Sequence, residues 1–396
     1  MADPHTSTLA APPLQADADA NVNAAGAWRE AIAAALALAV AMGFGRFAFT
    51  GMYPLMVRDG AMSVDTGSLA ASANYAGYLL GALLATRIAH AQAGRWSRIS
   101  LAGTVACLAV LALPAPAGVL VAVRFLAGVL SALALVAAAA WLLQVRARHH
   151  GAPLMFSGVG IGILISAELI AVGNLAHWHS LAMWLALAIG ALVLTGLGWR
   201  ALQLPARSGH AGAVAPGGAA TAQIGPAMLI ASYGLAGFGY IITATYLPLF
   251  VRDALGHVDP IHVWGAFGLG AAPSCFLWHA LHERLGTRRA MQWNLAVQAV
   301  GVVLPALSHT APAYLASAIL VGGTFMGTVT IAAPAARRLA HKVSFNLFAV
   351  MTAAYGVGQI VGPLASSALM QGGHGFNLPL EIAAAALLVA AGLCAI

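Results

Sequence analysis

Three ionisable side chains, Arg46, Arg124 and Glu168, fall deep inside long apolar stretches of the sequence. A charge at the centre of a membrane helix costs roughly 2.5–3.5 kcal/mol on insertion scales, so each should face a cavity or a partner. Arg46 comes about 18 residues into its stretch, near the middle of a bilayer crossing. A planar guanidinium there suits a carboxylate or another strongly polar substrate group; the alternative is a structural anchor on carbonyls of a neighbouring helix. Arg124 lies about eight residues after the start of its stretch and Glu168 about eight before the finish of the next, ends that meet the same side of the bilayer. At 1.5 Å of rise per residue both sit roughly 12 Å below one surface, where they could pair. A carboxylate that responds to burial and to a cationic neighbour suits proton coupling, and a static ion pair is the second reading.

Weaker polar candidates share helix faces. Asn74 and Tyr78 are four residues apart, as are Tyr355 and Gln359, and Tyr233 and Tyr240 are seven apart; these spacings place each pair on one side of a helix. Away from water each such group needs a partner, whether protein or ligand. Fourteen histidines are present, but His149–His150 and His177-x-His179 have no acid or thiol beside them, so no metal is expected. Cys107, Cys275 and Cys394 show no motif spacing and read as small apolar residues. No phosphate-binding Gly-x-x-x-x-Gly-Lys motif occurs, which argues against ATP-driven work by this chain. No cofactor is expected.

These side chains must be positioned by membrane-spanning helices. The chain is 61% hydrophobic and 7% charged with a mean hydropathy of +0.86, whereas a soluble domain carries about 25% charged residues. A span needs roughly 20 apolar residues. Cutting at charged and Pro/Gly/His-rich breaks gives twelve stretches, near 28–57, 63–86, 97–113, 117–144, 151–176, 180–202, 225–251, 260–282, 290–308, 311–335, 343–371 and 376–396. Of 18 Lys and Arg, 14 fall on one side of this arrangement and only Arg58 and Arg252 on the other. The positive-inside rule then puts both termini in the cytoplasm and makes nucleic-acid binding a poor reading of the basic pI. Residues 1–27 read as a disordered cytoplasmic tail.

An internal repeat divides the chain. GFGRFAFTGMYPLMVRDG at 43–60 and GFGYIITATYLPLFVRDA at 237–254 share eight of 18 positions without a gap. Among them are a Pro-Leu pair and Val-Arg-Asp, which apolar composition does not supply. The offset puts Tyr240 opposite Arg46 and Gly322 opposite Gly128. The expected fold is therefore all-α, with twelve transmembrane helices in two pseudo-twofold-related halves, 28–202 and 225–396, joined by an Ala/Gly/Pro-rich cytoplasmic linker at 203–224.

GFGRFAFTGMYPLM followed by ASANYAGYLLGALLA resembles the YbfB/YjiJ branch of the major facilitator superfamily. The resemblance implies a multi-pass secondary transporter of a bacterial inner membrane. It also implies a cytoplasmic gating loop at Glu283, Arg284, Gly286 and Arg288, while the corresponding N-half positions hold Ala85 and Thr86 in place of an acid and a base. Arg124-x-x-x-Gly128 matches the superfamily's arginine motif. The Gly-Pro of drug/proton antiporters is missing from the fifth span.

The leading functional reading is secondary active transport by alternating access. It is coupled to protons, carries a small polar or anionic metabolite, and is the work of a monomer in the lipid bilayer, not of an enzyme. Candidate substrate contacts are Arg46, Asn74, Tyr78, Tyr233, Tyr240, Tyr355 and Gln359. Multidrug-type efflux of amphipathic compounds is one alternative, and a non-transporting receptor on the same fold is another.

Overall fold

A computed structural model describes residues 13–205, 224–250, 259–371 and 377–395. Helix α1 (Pro13–Leu38) runs without interruption into a π-helical stretch (Ala39–Phe47) and then α2 (Ala48–Arg58). There follow α3 (Val64–Ala85), α4 (Ala93–Leu111), α5 (Ala117–Ala140) with a π-helical end (Trp141–Val145), α6 (Ala152–Leu175) and α7 (Ser180–Trp199). After the connecting segment come α8 (Pro226–Phe250), α9 (Ile261–Leu307), α10 (Ala311–Arg338), α11 (Leu347–Gln371) and α12 (Asn377–Leu393). No strand occurs among the described residues. Ser63 caps α3, its hydroxyl accepting from the Thr66 amide at 3.1 Å, which meets one of the amides a helix start leaves unpaired.

One boundary departs from expectation. The tail expected over 1–27 is helical from Pro13, as its alanine content favours, and residues 1–12 lie outside the described residues. Most of the expected linker, 206–223, lies outside them too.

Among the described residues, eight helical runs are long and apolar enough to cross a membrane. Leu197 and Leu307, 71% and 73% exposed, are typical of the outward faces, which present large apolar side chains instead of charge. Such a surface suits lipid.

Helix α9, at 47 residues, would be about 70 Å long if straight, more than twice a hydrocarbon core. It turns back at Gly286, whose φ of 75° and ψ of 169° are non-helical and come easily only to glycine. Trp278 and Asn294, equidistant from Gly286, reach the same turn of α10: Trp278 Nε1 donates to the Gly323 carbonyl at 2.7 Å and Asn294 Nδ2 to that of Thr324 at 3.1 Å. The two arms of α9 therefore lie side by side.

Helices α6 and α9 touch along their backbones. A Cβ on Gly160 would stand 2.4 Å from the amide nitrogen of Ala272, and one on Gly268 2.6 Å from that of Leu164. Only residues without side chains allow that approach. At one end of this seam, called here the Asp59 end, Asn174 donates to Asp259 at 2.7 Å and accepts from Arg58 at 2.7 Å. Asp59 itself accepts from the Ser180 amide at 2.6 Å. Burial pushes the Asp59 carboxyl up, but its bonds from Arg58 and Ser180 outweigh that and hold it below its ordinary range. The opposite end carries Gly286.

Candidate functional site

The π-helical stretch and α2, together with α3, α8, α9 and α11, enclose a cavity of about 630 Å³, within the usual range for small-molecule sites. Its lining runs from Arg46 towards the Asp59 end: Thr50, Tyr53 and Val57 from α2, Val64, Ser68 and Tyr75 from α3, Ala244 and Thr245 from α8, Trp264 from α9 and Leu364 from α11. Arg46 stands at the inner limit of that set.

Arg46 is 3% exposed. Its Nη2 donates to Gln359 Oε1 at 2.7 Å, and its guanidinium carbon lies 4.0 Å from the centroid of the Tyr78 ring. Nε and Nη1 are buried without a hydrogen-bond partner, and no ion pair includes Arg46 among the described residues. Contact with an aromatic face offsets part of the desolvation, by about 2 kcal/mol when buried. Two buried donor nitrogens are left to be met.

Gln359 passes the contact on by donating from Nε2 to the Tyr240 hydroxyl. Tyr240 stacks on Phe325 and Tyr355, with centroids 4.7 and 5.3 Å apart, and Tyr355 meets Tyr233 at 4.9 Å. With Tyr78, this cluster fills the space on the Gly286 side of Arg46 and leaves only a void of about 10 Å³ there. The structure thus brings Arg46, Tyr78, Tyr240, Tyr355, Gln359 and Tyr233 into one connected group.

Asn74 sits differently. Its Nδ2 donates to the Arg124 carbonyl at 2.9 Å, which ties α3 to α5 beside the cavity. Arg124 has no acid beside it. Its Nη1 and Nη2 donate to the carbonyls of Gly45 and Arg46 at 2.8 and 3.0 Å, and its guanidinium lies over Phe49 at 4.3 Å. The pairing of Arg124 with Glu168 considered from the sequence is not made. Glu168, 48% exposed at its side chain, faces α9 and approaches His262 Nδ1 at 3.3 Å. Equal depth in the bilayer left the facing direction open, and Glu168 points to the α6–α9 seam while Arg124 points to the π-helical backbone.

At the Gly286 end, Glu283 approaches His279 at 3.9 Å, and Arg284 is exposed. The polar links between elements there are made by neighbours of the expected gating residues. Arg338 donates to Thr287 at 2.9 Å and approaches His282 at 2.6 Å, and Arg337 approaches the His149 ring at 2.5 Å. Arg146 and Arg148 hold Glu30 at 2.5 and 2.9 Å.

Sequence reasoning missed Tyr75, Trp264 and His262. Tyr75 bonds Thr245 across the cavity at 3.2 Å, but it lies one residue off the face that Asn74 and Tyr78 share. His262 and Trp264 begin a helix and carry no spacing signal of their own. Among the described residues no group of histidines, cysteines or acids could hold a metal.

The sequence model of a family described as an uncharacterised MFS-type transporter, YbfB, matches residues 38–395. No curated protein matches the chain.

Proposed function

The chain belongs to the MFS-type transporter family described by YbfB, and from that premise we propose that it is a secondary active transporter working by alternating access on a small polar or anionic metabolite. The carrying observation is the Arg46 guanidinium, buried at the inner limit of a 630 Å³ cavity with Nε and Nη1 unpartnered. A buried cation that keeps donors in reserve is costly for folding alone and useful to a protein that binds an anion.

Joining α1 to α2 and dividing α9 at Gly286 makes twelve spans. Repeated contacts favour two six-helix halves. Gly77 approaches the Phe125 carbonyl and Gly270 that of Ile319; Gly128 approaches the Asn74 carbonyl and Gly322 that of Phe267. In this reading the Gly286 end, with its arginines, faces the cytoplasm of a bacterial inner membrane. The monomer is then seen with its site closed inwards by the tyrosine cluster and reachable from outside. Glu168 and His262, facing each other across the seam between halves, are the preferred proton-coupling pair, because a half-to-half contact changes when the halves rock.

The test is uptake and counterflow in proteoliposomes. Arg46→Ala should abolish transport of the anionic substrate, and Lys should restore little of it, since a point charge cannot replace a planar fork. A polyspecific efflux pump for amphipathic compounds would tolerate both changes. A receptor would bind ligand and show no counterflow.

A further inference from the structure

Resting on the reading of Arg46 as an anion site, we infer that the substrate is an amphipathic monoanion: one carboxylate, or a group of like shape and charge, on an aromatic or bulky apolar body with no cationic group.

The charge pattern of the cavity comes first. Its charged lining among the described residues is Arg46 and Arg124, with no acid. Arg124 already spends Nη1 and Nη2 on backbone carbonyls. Arg124 keeps Nε alone unpartnered, whereas Arg46 keeps both Nε and Nη1, so the larger reserve of donors lies at one end of the space and one anionic group is met at one end of the ligand. Nη2 carries a second N–H besides the one Gln359 accepts, and with Nε or Nη1 it forms an edge of the planar fork that fits a bidentate carboxylate.

The walls come second. Away from Arg46 they are Phe49, Tyr53, Ile241, Trp264 and Ile360 with scattered hydroxyls such as Thr50. Aromatic faces take up flat or bulky apolar bodies in stacked or edge-on geometry. Away from Arg46 and Arg124 the described residues of these walls offer no cation, so a second carboxylate would be stripped of water unpaired, and burying an unpaired charge is the larger penalty. An ammonium group would lie in a space whose only formal charges among the described residues are positive. Dicarboxylates and zwitterionic amino acids are therefore disfavoured on separate grounds, and a single hydroxyl on the body is accommodated.

The experiment is a thermal-unfolding screen of the purified full-length protein with cinnamate, cyclohexanecarboxylate, cinnamamide, succinate and phenylalanine at equal millimolar concentration, since ligands of the native state raise the midpoint by mass action. The two monocarboxylates should raise the midpoint by a few degrees, and the other three by much less. Titration should give cinnamate an affinity at least about tenfold above its amide. Cinnamamide differs from cinnamate only in charge, so that comparison needs no variant. Succinate or phenylalanine equalling cinnamate in the wild type, with the effect lost in Arg46→Ala, would overturn the substrate class and leave the anion site standing. Cinnamamide equalling cinnamate, or a cinnamate shift that persists in Arg46→Ala, would overturn the anion site itself. No shift from either monocarboxylate also overturns the class.

Discussion

Arg124 donates from Nη2 to the backbone carbonyl of Arg46 at 3.0 Å, so one buried arginine fixes the backbone from which the other projects. With the bond to Gly45 at 2.8 Å, this grips the π-helical stretch where its carbonyls have left α-helical register. π-Helical insertions recur at functional sites because they re-aim side chains within an otherwise regular helix. Here the side chain so aimed is Arg46; Arg124 serves the architecture, and in the function proposed above Arg46 serves the ligand.

That division predicts opposite stability effects. Arg124→Met removes two charge-assisted hydrogen bonds, each worth about 1.5–3 kcal/mol, and leaves two buried carbonyls unmet, so it should destabilise the protein by about 3 kcal/mol or more. Arg46→Met removes an incompletely paired buried cation, and such replacements are often neutral or stabilising. Its unfolding midpoint should stay or rise while anion binding disappears. Thermal unfolding of both variants, with and without ligand, checks this; equal destabilisation would refute the division.

Among the described residues, Gln359 is the only side chain with a hydrogen bond to the Arg46 guanidinium, at 2.7 Å. Gln359→Glu would place a carboxylate in that position and satisfy the cation from within the protein. Affinity for an anionic ligand should fall at least about tenfold, or 1.4 kcal/mol, without loss of stability. Gln359→Met keeps the cation and should lose less. Isothermal titration of both variants separates charge neutralisation from the loss of one contact.

Spacing along a helix made much of this site legible. Tyr355 and Gln359 share a face of α11, and the repeat aligned Tyr240 with Arg46; the structure links Arg46, Gln359 and Tyr240 in a chain. The facing direction of Glu168 was not legible, because depth in a bilayer fixes one coordinate and leaves rotation about the helix axis free. The π-helical stretch has no sequence signature, since glycines such as Gly43 and Gly45 suit tight packing of any helix. Gly286 was read as part of a gating motif, and its structural part is the positive φ that reverses α9. The glycine-lined seams were visible as glycines but not as pairs, because which helices adjoin is decided by tertiary packing.

Glu168 and His262 are each close to half exposed, at 48% and 45% of their side chains. A pair so placed contributes little to stability, so Glu168→Gln should shift stability by no more than about 0.5 kcal/mol. If the pair couples protons, the same change should abolish uptake driven by a pH gradient while leaving substrate counterflow intact. Gradient-driven uptake at the wild-type rate would remove Glu168 from the mechanism.

The contact of Arg337 with His149 at 2.5 Å crosses from α10 to the connection between α5 and α6 at the Gly286 end, the end that the proposed function takes as closed. A ligand-free equilibrium between two openings responds to the loss of any contact made in one state alone. Arg337→Ala should therefore favour opening at that end by about 1 kcal/mol, a roughly fivefold change in population. Single cysteines at Ser68, on the cavity wall, and at Val329, in the closed layer beneath, report the two states by their thiol-labelling rates. The native cysteines Cys107, Cys275 and Cys394 are buried, so background labelling should be slow. In the Arg337→Ala background, Ser68→Cys should label more slowly and Val329→Cys faster, because opening one end closes the other. Faster labelling at both positions would mean local loosening at the clasp without a concerted movement of the halves, and would count against alternating access.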